Sequence, residues 1–295
     1  MSWVKALLPV RAFSWPTLGP KSGLATFGYA PSVPEAFYLP DAERFVSTEL
    51  TRGPWSAEAQ HAGPPAALIA RAIERLEPGE ELRTARFTME ILRPIPVAPL
   101  RIEARAVRSG RRTQYAEASL LDDRGEIARA SAWRIRPADG AGEEIGLEPT
   151  PHSLSDAPEA LPGFIPPWGD SYFTATEWRL ASGNVAEPGP AAVWMRMRYP
   201  LVAGEEPSPL ARVLVAADSG NGISWVLPFD AYVFINTELT IHLARMPEGE
   251  WVCLDARSSI GPEGVGLAES TLWDQRGRIG QGAQSLVVGR RTWGA

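Results

Sequence analysis

The strongest constraint on the fold is an internal repeat. Laid on residues 239–288 at an offset of 152 positions without a gap, residues 87–136 give 11 identical pairs in 50, against about three expected by chance. The identical pairs include Thr88/Thr240, Arg93/Arg245, Asp122/Asp274, Arg124/Arg276 and Gly125/Gly277. Apolar positions match as well. The sequence therefore predicts two copies of one structural unit.

Each copy combines a helix with antiparallel strands. A strand is predicted over Arg44–Gly53, and apolar residues then repeat at helical spacing from Ala66 to Ile73, behind Pro64-Pro65 and ahead of Pro78-Gly79. Period-two runs with short connections follow, near 86–91, 100–105, 113–121 and 126–135. The predicted fold class is α+β, with a long helix against a curved antiparallel sheet in each copy.

The second copy shows the same kinds of signal. Strands are predicted near Tyr172–Ala181 and Ala192–Tyr199, and a helix opens at Pro207-Ser208-Pro209. Residues 137–170 are dense in Pro, Gly and polar residues, which is typical of a linker. The predicted domains are an N-terminal arm (1–37), a first unit (38–136), this linker, and a second unit (171–295).

Composition excludes several classes of protein. A net charge of −6 with pI about 5.3 disfavours binding to a phosphate backbone, so no nucleic-acid partner is expected. Cys253 is the only cysteine, which excludes an internal disulfide and favours a reducing cytoplasmic compartment. The three histidines lack metal-ligand spacing, so no metal is expected. Lys5 and Lys21 are the only lysines, which excludes a Schiff base in the body of the protein. No apolar window is long enough for a membrane span.

Common catalytic motifs are absent from the sequence. It contains neither the G-x-S-x-G of a nucleophile elbow nor a P-loop. The glycine-rich run Gly261–Gly266 lies between two predicted strands, which is typical of a hairpin turn.

Candidate functional residues are those that are polar in the second copy and small or apolar in the first. The repeat places Asp218 opposite Ala66 and Gln284 opposite Ala132. Asp218 is either a general base in a pocket or the C-terminal cap of its helix. Gln284 either positions a water or donates to a developing oxyanion, or it is a satisfied glutamine in a packed strand. Asn236 lies opposite Thr84.

Histidines and the strand around Asn236 give further candidates. Strict alternation predicts that Asn236, Glu238, Thr240 and His242 share one strand face. His242 is interpreted as an interface or surface residue. His61, just before the first helix, either contacts a ligand or caps the turn.

Several short motifs, in order, resemble those of double-hotdog acyl-CoA thioesterases, the relatives of bacterial acyl-CoA thioesterase II. His61-Ala-Gly-Pro-Pro resembles the start of a hotdog helix in that family. Arg93-Pro94-Ile95-Pro96, and Arg245-Met246-Pro247 ahead of Trp251-Val252, resemble its R-P motifs. The resemblance covers roughly residues 40–292. It implies a double hotdog fold, an acyl-CoA substrate, thioester hydrolysis without a cofactor, and assembly into a homo-oligomer.

The resemblance also implies a hydrolytic set. The family's Asp and Gln match Asp218 and Gln284, and its Thr position falls at Asn236, which lacks a hydroxyl. Thr240 lies one pleat further along the predicted face and is included as a catalytic candidate. Water would attack the thioester directly, and the backbone N–H of Gly63 at the helix start would stabilise the oxyanion. Gly63 and His61 are the predicted substrate-binding residues.

Two other functions stay open on this evidence. The replacement of the family's Thr by Asn236 motivates a non-catalytic acyl-CoA or acyl-ligand binding protein on the same fold. A hydratase or dehydratase would resemble relatives that carry an Asp/His or Glu/His pair on the helix, and neither predicted helix contains a histidine.

Overall fold

A computed structural model of the chain describes residues 35–138, 144–160 and 166–291. The strands are β1 (Tyr38–Asp41), β2 (Arg44–Ser47), β3 (Arg83–Ile91), β4 (Pro99–Ser109), β5 (Thr113–Asp122), β6 (Gly125–Ile135), β7 (Thr176–Gly183), β8 (Ala191–Met197), β9 (Tyr232–Asn236), β10 (Glu238–Leu243), β11 (Val252–Ile260), β12 (Val265–Trp273) and β13 (Arg278–Arg290). The α-helices are α1 (Gly63–Glu74), α2 (Tyr172–Ala175), α3 (Pro209–Ala217) and α4 (Gly220–Ile223), and 3-10 helices span Glu49–Thr51 and Gly79–Glu81.

Within the described residues, all 13 strands belong to one antiparallel sheet. Its order is β1-β2-β4-β5-β6-β3-β10-β13-β12-β11-β8-β7, with β9 also pairing with β13. The order is symmetric about the β3–β10 pair, because the strands that follow β3 on one side correspond to those that follow β10 on the other. The two copies predicted from the repeat therefore form two halves of a continuous sheet.

The β3–β10 pair shows where the pseudo-twofold axis lies. Thr88 pairs directly with Thr240, and the Thr240 hydroxyl donates to the Thr88 hydroxyl over 3.2 Å. These two residues are separated by 152 positions, the offset of the sequence repeat. Since antiparallel neighbours reverse direction, equivalent residues can pair with each other only on such an axis. The repeat in the sequence is thus also a symmetry of the fold.

The two long helices pack against each other across the copies. In α1 the prolines occupy the first turn, and in α3 the Ser208 side chain accepts the N–H of Ala211 over 3.1 Å as an N-cap. A Cβ placed on Gly63 would lie 2.7 Å from the carbonyl oxygen of Val215, too close for any side chain. Gly63 is therefore required for the close approach of the helices.

An arginine–aspartate pair closes the same turn in both copies. Arg245 donates to both carboxylate oxygens of Asp274 over 2.5 and 2.6 Å and to the carbonyl of Gly277 over 3.0 Å. Arg93 makes the same contacts with Asp122 and Gly125. These residues are among the identities of the repeat, so their matching positions reflect a shared turn structure.

The two carboxylates of these pairs are strongly acidic. Hydrogen bonds from Arg93 are the main reason that the pKa of Asp122 falls from 3.8 to about 2. Burial would raise the pKa of Asp274, but hydrogen bonds from Arg245 and from the N–H groups of Glu248 and Gly277 outweigh burial and lower it.

Most predicted elements are present, and two are corrected. The strand predicted over Arg44–Gly53 stops at Ser47, because the Thr48 hydroxyl accepts the N–H of Leu50 and starts a 3-10 helix. The strand predicted from Tyr172 begins instead with the helical turn α2, which has a capping box between Ser171 and Thr174.

The predicted arm and linker are only partly described. Residues 1–34 of the arm lie outside the described residues. The described parts of 137–170 contain turns and a single isolated bridge, Glu159 to Arg179, with no regular helix or strand.

We expect Asp274→Asn to lower the free energy of unfolding by about 3 kcal/mol, since it leaves the largely buried Arg245 guanidinium without its counter-charge. The matched variant Asp122→Asn should cost less, because the Arg93 side chain is more exposed and water can solvate it. Urea denaturation of both variants measures the difference. Equal losses would contradict this ranking.

Candidate functional site

Asp218 lies where the second copy's helix breaks. It is the C-cap of α3, with φ −69° and ψ −10°, and Ser219 separates it from α4. The residue is only 3% exposed. A buried carboxylate is costly unless several donors satisfy it, so its surroundings are informative.

Three side chains surround the Asp218 carboxylate. Oδ1 accepts from Asn236 Nδ2 over 2.8 Å and from Gln284 Nε2 over 3.1 Å. Oδ2 lies 2.9 Å from His61 Nδ1. Asn236 comes from β9, Gln284 from β13 and His61 from the loop before α1, so the cluster joins both copies. All four side chains are nine-tenths or more buried.

The orientation of the Gln284 amide is fixed from both ends. Nε2 also donates to the backbone carbonyl of Asp218 over 3.1 Å, and Oε1 accepts the N–H of Asn221 over 3.1 Å. A Cβ on Gly220 would lie 2.9 Å from that same Oε1 and 2.8 Å from the Ser270 hydroxyl. The lack of a side chain at Gly220 thus allows α4 to approach the amide.

Asn236 occupies the position where the resemblance implies a threonine. Its Nδ2 donates to Asp218 and also to the carbonyl of Glu238 over 3.2 Å. An amide N–H therefore supplies a donor to the carboxylate at this position, although no hydroxyl is present.

The prediction that Thr240 shares a face with Asn236 is wrong. Thr237 lies outside both β9 and β10, and this break shifts the alternation by one residue, so that Asn236, Leu239 and Ile241 are buried while Thr240 points to the other side. The Thr240 hydroxyl bonds to Thr88 and to a carboxylate oxygen of Glu238. Strict alternation along the strand could not reveal this break.

An aromatic stack fixes the His61 ring. Its centroid lies 3.7 Å from that of Tyr172 with 4° between the planes, and Phe173 packs edge-on at 6.1 Å. Burial raises the pKa of Tyr172, and the Asp218 charge adds to this effect. The phenol therefore keeps its proton and donates it to the carbonyl of Val215 over 2.6 Å. The Ser219 hydroxyl lies 2.8 Å from the phenol oxygen.

The contacts of His61 favour one tautomer of the imidazole. Nδ1 lies 2.9 Å from a carboxylate oxygen and 3.3 Å from the N–H of Gly63. One ring nitrogen cannot donate to the first and accept from the second. The shorter contact, to a carboxylate, favours the proton on Nδ1, and a ring nitrogen that carries a proton does not accept the Gly63 N–H. That N–H lies at the N-terminus of α1, where the helix dipole favours negative charge.

The structure brings together most of the predicted site residues. Asp218, Gln284, Asn236, His61 and Gly63 form one cluster, and Asp218 is also the helix cap of the alternative interpretation. Sequence reasoning missed Asn221 and Tyr172, and it missed the contact of His61 with Asp218. A histidine just before a helix start was the available signal for that contact, but only the packing of one copy on the other shows its partner.

The other predicted residues lie elsewhere. His242 is exposed on β10, and Cys253 is buried beside Trp194 and Trp273 with a pKa raised by burial. Among the described residues there is no group of three acidic, histidine or cysteine side chains that could hold a metal ion. None of the described helices is long and apolar enough to span a membrane.

Comparison with known proteins places both halves of the chain in related families. Residues 51–135 match the acyl-CoA thioesterase N-terminal domain, and residues 149–288 match the acyl-CoA thioesterase C-terminal domain. No curated protein sequence gives a significant match to the chain.

Solved structures show the same fold at low sequence identity. A candidate thioesterase II from Thermobifida fusca is 19% identical with a TM-score of 0.66, covering 87% of this chain and 96% of that one. A hotdog protein of unknown function from Alicyclobacillus acidocaldarius is 18% identical with a TM-score of 0.66, over 88% and 98%. An acyl-CoA thioesterase II from Mycobacterium marinum is 14% identical with a TM-score of 0.58, over 86% and 95%. The predicted α+β double hotdog fold is confirmed.

We expect Gly220→Ala to displace the Gln284 amide, since the added methyl group would meet its Oε1. Whatever reaction the site performs should slow by about tenfold or more, because a small misplacement of a positioned group is costly. Thermal unfolding should change little. Gly222→Ala is the matched control, since a Cβ there meets nothing within 4 Å. Unchanged turnover in Gly220→Ala would contradict the importance of this contact.

Proposed function

We propose that this chain, which belongs to the acyl-CoA thioesterase family, hydrolyses the thioester of a fatty or related acyl-CoA by direct attack of water. The observation that carries the proposal is the buried Asp218 carboxylate, held by two amide donors and one imidazole. Such an arrangement suits a group that orients a water molecule and takes its proton.

Each residue of the cluster has its own role in the proposed hydrolysis. Asp218 accepts a proton from the attacking water, whose oxygen bonds to the thioester carbon. Gln284 and Asn236 fix the carboxylate through their hydrogen bonds to Oδ1. The Gly63 N–H, freed by the proton on His61 Nδ1, donates to the oxyanion. When the carbon–sulfur bond breaks, the thiolate takes the proton that Asp218 had accepted.

In this mechanism His61 acts through Asp218. Its Nδ1–H donates to Oδ2 and keeps the carboxylate in one orientation, while the stack on Tyr172 prevents the ring from turning. His61 is therefore a positioning residue in the hydrolytic mechanism.

One site per chain is expected from this arrangement. The equivalent positions of the first copy carry Ala66 and Ala132 in place of Asp218 and Gln284. Those side chains can neither accept a proton nor orient a water. Assembly into a homo-oligomer and a cytoplasmic location stay predictions from the sequence.

The test is thiol release from acyl-CoAs, from acetyl to stearoyl, by wild type, Asp218→Asn and Gln284→Ala. We expect wild type to hydrolyse some of these substrates and both variants to lose roughly 100-fold to 10,000-fold in kcat, as for loss of a general base or its positioning group. Asp123→Asn is the matched control, because it removes an exposed carboxylate on a turn.

Two outcomes would contradict the proposal. Full thiol release by Asp218→Asn would remove this residue from the mechanism. Tight acyl-CoA binding without release from any substrate would support the binding protein that the Asn236 substitution suggested.

The His61–Asp218 contact favours a second candidate function. An imidazole and a carboxylate 2.9 Å apart form an acid–base pair that could add water across the double bond of a 2-enoyl thioester. A hydratase has little support from the sequence, because neither predicted helix contains a histidine. The structure supplies that histidine from the loop of the other copy.

Crotonyl-CoA distinguishes the two reactions. Hydrolysis releases a thiol and leaves the carbon–carbon double bond intact, whereas hydration removes the double bond and releases no thiol. We expect thiol release, with His61→Gln reducing it about tenfold because only the positioning of Asp218 is lost. Loss of the enoyl absorbance without thiol release would favour the hydratase.

A further inference from the structure

A track of residues leads from the catalytic centre to the end of the last strand. On β13, Gln284, Leu286, Val288 and Arg290 follow each other at every second position and share one face. Opposite them on β9 lie Asn236 with Leu286, Phe234 with Val288, and Tyr232 with Arg290. This face is polar at the catalytic end, apolar in the middle and cationic at the far end.

Two arginines occupy the cationic end. The guanidinium carbon of Arg290 lies 5.2 Å from the centroid of the Tyr232 ring, and that of Arg291 lies 5.2 Å from the Trp55 ring. Stacking on a ring leaves the guanidinium edge free to donate hydrogen bonds.

The residues that the structure describes give neither arginine a counter-charge. In the part of the chain that the structure describes, no carboxylate lies within ion-pair distance of Arg290 or Arg291. Arg291 Nε is also buried without a hydrogen-bond partner there. In a protein of net charge −6, two adjacent arginines that have no counter-charge among the described residues indicate a site for an anion.

Aromatic side chains connect this cationic end to the catalytic centre. Trp55 meets Phe234 edge-on at 5.4 Å, and Phe229 packs on Phe234 at 4.8 Å. The carbonyl of Phe234 accepts from Asn221 Nδ2 over 3.2 Å, and the N–H of Asn221 binds Gln284. Phe234, in the apolar middle of the track, thus contacts both the Trp55 ring, on which Arg291 stacks, and Asn221, which orients the Gln284 amide.

The length of the track matches the carrier arm of coenzyme A. Gln284 and Arg290 are six residues apart on one strand, which corresponds to about 20 Å. About thirteen bonds separate the thioester sulfur of an acyl-CoA from its first phosphorus, a reach of about 16 Å at backbone-like bond lengths. A thioester at Asp218 would therefore place the phosphates near the two guanidinium groups.

We infer that Arg290 and Arg291 bind the phosphate groups of the coenzyme A carrier, with the pantetheine arm lying along the partly exposed Trp55 ring. This inference rests on the proposed function for the position of the thioester. It makes the two arginines the determinants of the carrier and leaves the choice of acyl group to other parts of the site.

Another basic cluster lies too far away for this role. Arg108, Arg111 and Arg112 flank the β4–β5 turn, which hydrogen-bonds to Arg136 just after β6. That end of the sheet contains Arg83 of β3, whereas the catalytic end contains Ile91, whose N–H donates to the carbonyl of Thr237. The two ends are eight residues apart along β3, or about 26 Å.

The decisive experiment compares one acyl group on two carriers. Wild type and the double variant R290A/R291A are assayed with an acyl-CoA and with the corresponding N-acetylcysteamine thioester, which lacks phosphates. We expect the double variant to lose about 10- to 100-fold in kcat/KM for the acyl-CoA, mainly through KM, since charge-assisted hydrogen bonds to phosphate are lost. Activity on the truncated thioester should stay within about twofold of wild type.

Two further variants control for charge and for packing. R111A/R112A removes the same charge at the distant turn and should leave both substrates unaffected. R290K/R291K keeps the charge and should recover part of the loss, because lysine binds phosphate as a point charge without arginine's paired donors. Equal losses on both carriers in R290A/R291A would overturn the inference.

Anions could also come from the acyl group, for example a terminal carboxylate. A succinyl N-acetylcysteamine thioester tests this source, and a loss confined to that substrate in R290A/R291A would overturn the assignment to phosphate.

Calorimetry with coenzyme A alone separates the inference from the proposed function. Binding that weakens about tenfold or more in R290A/R291A but persists in Asp218→Asn supports the phosphate site even if no thioester is hydrolysed. Equal binding by wild type and R290A/R291A would overturn it.

Discussion

The pairing of β3 with β10 is the interaction on which the rest of the structure depends. It joins the sheets of the two copies through backbone hydrogen bonds, and it places Thr88 against Thr240 on the pseudo-twofold axis. Because register fixes which side chains face the helices, this one pairing also determines how the copies meet. The close contact of Gly63 with Val215 and the cluster around Asp218 both lie at this junction between the copies. A single copy would supply Asp218 and Gln284 but would lack His61.

Duplication explains why a buried carboxylate could arise on one side of the axis alone. The two halves share the turns closed by Arg93–Asp122 and Arg245–Asp274, which stabilise the sheet in each copy. Because both copies keep the turns that stabilise the sheet, the second copy could exchange small residues for polar ones. Asp218, Gln284 and Asn236 are useful as a set, since a buried carboxylate is costly without donors and buried amides are costly without an acceptor. The first copy keeps Ala66 and Ala132 and a tightly packed interior.

Much of this could be predicted from the sequence, for identifiable physical reasons. The repeat offset, the helix after Pro64-Pro65 and the turns at Asp122 and Asp274 follow from local spacing and composition, which act over a few residues. The orientation of the Thr240 side chain could not be predicted, because Thr237, which belongs to neither β9 nor β10, reverses the alternation. The partner of His61 could not be predicted either, because it depends on how one copy packs on the other across 157 positions of sequence.

Asn236, at the position where the resemblance implies a threonine, supplies a hydrogen-bond donor to the carboxylate with different chemistry from a hydroxyl. A threonine hydroxyl can donate one hydrogen bond and also accept one, whereas the Asn236 amide donates to Asp218 and to the carbonyl of Glu238 through the same nitrogen. That nitrogen cannot accept a proton, so Asn236 holds the carboxylate but takes no part in proton transfer. Among the four side chains of this cluster, the Asp218 carboxylate and the His61 imidazole are the two that can take up a proton. The amides of Asn236 and Gln284 both donate to Oδ1, while Oδ2 faces the imidazole. The proposed hydrolysis uses the carboxylate as the proton acceptor and the imidazole as its positioning partner, whereas the alternative hydration would use the two groups together as an acid–base pair.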